Sequence, residues 1–175
     1  MTTPLALVLS TACAPPAADS ASEPLPEPTP ALLPAHGWAP ADTDPFGDVT
    51  APEPCDPVGF GPEGSAFEVR TDRCPNAELT QPLGQALAAG TTLGIEVWHM
   101  DLVAPEPAHG HLALRIGDDV AEIRPEIPGD AAAYTLTLTL TRDVATEEPV
   151  WLHVHNHGSN SWTLGSVTVL DGGAL

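Results

Sequence analysis

A chain of 175 residues has room for one ordinary domain, and because its 21 prolines crowd towards the first third, the folded part is smaller still. The formal charge is −19, from 24 acidic residues against five arginines and no lysine. No basic surface is left to neutralise phosphates, which excludes nucleic acid and anionic lipid headgroups as partners. No apolar run approaches the roughly 20 residues of a membrane helix, so any membrane attachment is through lipid.

Taken in chain order, an apolar run from Pro4 leads into Leu9-Ser10-Thr11-Ala12-Cys13. This stretch resembles the lipobox of bacterial lipoproteins. The resemblance implies that residues 1–13 are a signal peptide, that Cys13 is lipidated, and that the protein is exported to the cell envelope or beyond. From Ala14 to Pro54 there are eleven prolines, seven acidic residues and no Lys or Arg. Such a segment cannot bury enough apolar surface to offset its chain entropy, so 14–54 is expected to be a disordered, extended tether. His36-Gly37-Trp38 is the local exception. A solvated linker tryptophan is the expected reading, and docking onto the domain is the alternative.

Residues 55–175 are expected to form the domain. Cys55 and Cys74 lack metal-ligand spacing and bracket its start, so they are paired as a disulfide. Closing a loop of about 18 residues contributes roughly 3 kcal/mol in the loop-entropy model, and the pairing suits an oxidising compartment.

The strand signal is plain from Tyr134 to Thr141, where Tyr134, Leu136, Leu138 and Leu140 alternate with four threonines. Similar runs at Ala66 to Arg70, Thr91 to Leu102, His111 to Ile116, Val120 to Ile123, Val150 to Asn156 and Trp162 to Leu170 are divided by turn residues, with a shorter strand near Leu79 to Leu83. About eight strands without a helical period predict an all-β fold, an antiparallel sandwich or jelly roll. The order of these elements, with the Cys-closed start, the strand Leu93-Gly94-Ile95-Glu96-Val97-Trp98 and the hairpin Leu152 to Gly158 running into Trp162 to Leu170, resembles the galactose-binding-like jelly roll of carbohydrate-binding modules. The resemblance spans about residues 60–172. It implies a sandwich and, for function, carbohydrate binding, although one such scaffold carries many unrelated sites.

Six of the seven histidines fall between residues 99 and 157. With Leu152 and Val154 in the core, Trp151, His153, His155 and His157 share the opposite face; the same parity puts His109, His111 and Arg115 outside the core of their strand. His99 shares parity with Leu93, Ile95 and Val97. Histidines at i and i+2 on a strand can reach one ion, so His99, His111, His153, His155 and His157, with Asp101 as a nearby carboxylate, are the candidate ligands for zinc or another transition metal.

A second reading uses the same surface without metal: Trp98 and Trp151 as aromatic planes, and Glu96, Asn156 and Asn160 as polar partners for a sugar. Asp118, Asp119, Asp130, Asp143, Glu147 and Glu148 are turn carboxylates that a structural calcium would use. No nucleophile elbow, Walker loop or HExxH helix occurs, and no catalytic residue is assigned. The reading is an exported lipoprotein displaying a non-enzymatic binding module, with carbohydrate as the ligand that the resemblance implies. Two alternatives stand beside it: a metal-binding domain, structural or catalytic, and a structural surface domain that meets another envelope protein.

Overall fold

The computed structural model describes residues 32–47 and 55–171. The signal peptide with Cys13 and most of the expected tether lie outside the described residues.

After a 3-10 turn at Ala35–Gly37, the strands are β1 Ala39–Pro40, β2 Phe60–Glu63, β3 Ala66–Arg70, β4 Asn76–Pro82, β5 Thr92–His99, β6 Ala108–His109, β7 His111–Ile116, β8 Asp119–Ile123, β9 Glu126–Ile127, β10 Ala132–Thr139, β11 Pro149–His155 and β12 Ser161–Asp171. Two five-stranded sheets are antiparallel throughout, one in the order β1-β4-β11-β7-β8 and the other β10-β5-β12-β3-β2. The short pair β6-β9 lies beside them. The fold is therefore a β-sandwich, as the alternating pattern predicts.

Alternation decides which residues enter the core. Leu152 and Val154 on β11, Leu112, Leu114 and Ile116 on β7, and Leu93, Ile95 and Val97 on β5 are buried between the sheets. On β10, Tyr134, Leu136 and Leu138 face inward while Thr135, Thr137 and Thr139 are exposed. Trp162 on β12 fills the interior at 1 % exposure. Cys55 and Cys74 are bonded, their Cα atoms 4.3 Å apart, and fix the start of the sandwich to the approach of β4.

Residues 32–47 depart from the expected tether. Leu33 and Trp38 are buried, and Trp38 packs at 5.9 Å from the ring of Phe67. The backbone of Leu32 donates to Val167 O, β1 pairs with the edge of β4, and Ala41 N donates to Glu78 O. Enough apolar side chains sit among the prolines here to offset the cost of ordering the segment. Pro40 has no N–H to offer, and its place on an edge strand is where proline is tolerated. The strap continues over the outer face of the first sheet to Phe46, held by Arg115, whose Nη1 donates to Pro45 O at 2.9 Å.

Candidate ligand cleft and the histidine face

β11 is the third strand of its sheet, flanked by β4 and β7, and its outward side chains sit in cross-strand rows. One row is Glu78, His153, Ala113 and Glu122; the next is Asn76, His155 and His111. Parity thus brings polar residues of four strands to one outer face, as cross-strand neighbours do in any antiparallel sheet. This face is not open to water throughout. Phe46 of the strap lies 4.8 Å from the His153 ring and 5.9 Å from that of His111, and His153 is 0 % exposed, His111 2 %.

Each buried imidazole faces a carboxylate. His153 donates from Nδ1 to Oε1 of Glu78, itself buried, and His111 donates from Nε2 to Oε2 of Glu122 at 2.9 Å. A carboxylate only accepts, so these partners set which ring nitrogen carries hydrogen. Partial burial disfavours the charge on Glu122, but the His111 hydrogen bond and the Arg124 guanidinium together outweigh it and hold this carboxyl below its ordinary value of 4.5. The rings run as a series: His111 to His153 at 4.5 Å, His153 to His155 at 6.4 Å, and His155 to His157 at 5.0 Å.

The series emerges from beneath the strap into an open cleft of about 790 Å³ lined by residues 104–111, Arg124, His155 and His157. Its walls are the loop carrying Pro105, Glu106 and Pro107, the β6 histidine His109, and the end of β11. The rim is fixed by two buried amides. Asn160 Oδ1 accepts from Val103 N at 2.7 Å and its Nδ2 donates to Val103 O at 3.1 Å, while Asn156 Nδ2 donates to Thr71 Oγ1 at 3.1 Å. Gly158 turns the loop at φ +99°, where a Cβ would run into Val103 O. Gly110 lets the chain between His109 and His111 pass close to Trp162, whose ring would meet a Cβ at 2.6 Å.

The structure divides the residues singled out from sequence. His111, His153, His155 and His157 come together, but His99 faces the interior of the other sheet, donating from Nδ1 to Met100 O at 2.8 Å and accepting at Nε2 from Tyr134. Its parity with Leu93, Ile95 and Val97 gives the reason. Asp101 accepts from Ala131 N, away from the histidine series.

The proposed sugar-binding set does not form one surface. Trp98 and Glu96 are on the outer face of the second sheet, where Glu96 meets Ser166 and Trp98 lies over the β12 irregularity at Gly165. Trp151 is on the first sheet, in the row of Thr80 and Arg115. Asn156 and Asn160 are buried loop pins. The acidic turn residues are already engaged: Asp118 faces Arg115, Asp119 accepts from Thr141 N, Asp143 from Ala89 N, and Glu148 pairs with Arg142, which Asp118 and Asp119 also approach. Their carboxylates are occupied by backbone amides and arginines, and they form no three-ligand cluster among the described residues.

Arg124, Glu106, Glu78 and Asp44 escaped the sequence reading. A signal existed for Glu78, a carboxylate in a strand whose other members are largely buried, and for the Asp44-Pro45-Phe46 stretch, where an aromatic interrupts an acidic, proline-rich run.

No family model matches the chain, and no curated protein matches it in sequence. Of the solved structures similar to it, several are carbohydrate-binding modules. One is the module TmCBM61 in complex with β-1,4-galactotriose, at 15 % identity and a TM-score of 0.44, covering 81 % of this chain and 99 % of that one. Another is the N-terminal cellulose-binding domain of Cellulomonas fimi β-1,4-glucanase C, at 13 % identity and a TM-score of 0.37, covering 69 % and 93 %. An arabinose-bound α-L-arabinofuranosidase is similar at 12 % identity and a TM-score of 0.38, over 63 % of this chain, which spans only 23 % of that enzyme's length.

Proposed function

We propose that the protein is a non-enzymatic binding module, displayed outside the cytoplasm through a lipidated Cys13, whose cleft takes a neutral carbohydrate. The observation that carries this reading is the cleft itself: an open groove of about 790 Å³ in which imidazole and proline rings give flat faces while Arg124, Glu106 and the ring nitrogens give hydrogen-bonding forks. A sugar presents the complementary pattern of C–H patches and hydroxyls. The chain as a whole carries a net charge of −19, which disfavours polyanions and so favours uncharged glycans over sulfated or uronate-rich ones. The hydrogen-bonded rim supports a preformed site, which lowers the ordering cost of binding.

The test is affinity electrophoresis and calorimetry of the whole chain against a panel of neutral polysaccharides. Binding is expected to fall at least tenfold in His157→Ala combined with Arg124→Gln and to persist in Trp98→Ala. Binding that survives the double variant, or no binding to any neutral glycan, refutes the cleft as a sugar site. Display is tested separately: partition of the protein into detergent in a bacterial host is expected to be lost in Cys13→Ser.

A further inference from the structure

We propose a metal site beneath the strap, distinct from the cleft, in which Asp44, Glu78 and His153 hold one divalent first-row transition ion of the zinc type. One potential ligand atom from each of these three side chains lies within 4.8 Å of the other two. A tetrahedral ion bound at about 2.0–2.2 Å sets its ligands roughly 3.5 Å apart, so the cluster closes on one within its present span, with the hydrogen-bonded His153–Glu78 pair opening to admit the ion. The donors come from three separate parts of the chain: the strap, β4 and β11. The set is one imidazole and two carboxylates, which suits zinc and its neighbours; calcium and magnesium prefer oxygen alone.

Two further observations point to a ligand here. His153 and Glu78 are almost wholly withdrawn from water, and Phe46 closes over the imidazole. Glu78 is held in this dry place beside a second, partly buried carboxylate, Asp44, and a dication offsets the charge of both. Asn76, two residues before Glu78 on the same face of β4, is 6 % exposed, and neither its Oδ1 nor its Nδ2 has a hydrogen-bond partner among the described residues. Buried polar atoms are nearly always paired, and water on the open coordination position of an ion at this site would serve both.

The local build favours ligation. Asp44 Oδ1 accepts from the backbone of Phe46 at 2.7 Å and Gly47 at 2.9 Å, which fixes the carboxylate on its turn. Ala41 N donates to Glu78 O, so the strap and β4 are already in register beside the cluster. For ligation through Nδ1 the imidazole carries its hydrogen on Nε2 instead, and the cation takes the place of the hydrogen between His153 and Glu78. The ion would thereby fasten the strap to the sandwich.

The experiment uses the whole chain without an affinity tag, stripped by chelator and then given zinc, or cobalt as a coloured substitute. One zinc per chain by elemental analysis is expected, with a rise in Tm of roughly 8 °C at a hundredfold excess over the dissociation constant. Cobalt should give visible absorption bands. Asp44→Asn and His153→Gln should each abolish the rise, and His157→Ala in the cleft should keep it. Asp44→Asn preserves the turn and should melt with the stripped wild type, so its loss of response reads ligation and not misfolding. No zinc response, or one that survives His153→Gln, or one lost in His157→Ala and kept in Asp44→Asn, overturns the site.

Discussion

The two outer faces of the sandwich are built by the same alternation and end in opposite states. On the second sheet the outward threonines of β10 stay in water, and Thr139 merely shares a hydrogen bond with Thr92. On the first sheet the outward residues His153, His111 and Glu78 are as buried as core leucines, because the strap lies over them. Strand parity decides only which side of a sheet a residue takes. Whether that side is wet depends on what else the chain lays across it.

The strongest way to break this contrast is to remove one member of a covered pair. Glu78→Ala takes from buried His153 the carboxylate it donates to and should cost about 4 kcal/mol in denaturant unfolding, whereas Thr137→Ala on the open face should stay within about 0.5 kcal/mol. If the two variants cost the same, the faces are not different in kind.

Lifting the cover should come next. Trp38→Ala empties the seat of the strap beside Phe67 and should cost about 3 kcal/mol. Hydrogen exchange should then rise along residues 32–47 and at the β11 histidines, with the β10 face unchanged.

The smallest effect sharpens the comparison by pH. Glu122 has its carboxyl lowered in the folded state, so it contributes stability above pH 4.5, and that contribution is lost as the pH falls through the lowered value. Thermal melts at pH 7 and pH 3.5 should differ less for Glu122→Gln than for the wild type. An equal or larger difference in the variant would remove Glu122 from the account.

The strand pattern was legible because each strand carries its own signal: Ala66–Arg70 and His111–Ile116 have the bounds expected from sequence, and β10 shows the expected alternation. The short strands β1, β6 and β9 carry too few residues for a period. The histidine face was half legible. Parity put His153, His155 and His111 on one side, but cross-strand register supplied Glu78 and Glu122, and the strap supplied Asp44 and Phe46. Register and long-range cover are properties of the assembled sheet. The same gap explains why Trp98 and Trp151, alike in sequence context, came to rest on different sheets.

The hydrogen bond from Leu32 to Val167 joins the first described stretch of the chain to its last strand. Leu33 and Trp38 share their seat with Phe67, Leu164 and Val167, so part of that seat does not exist until β12 has been made. During synthesis, this earlier segment must therefore wait for a strand that is made much later. Until then the acidic, proline-rich strap keeps company with water, and the histidine face beneath it stays open to the medium.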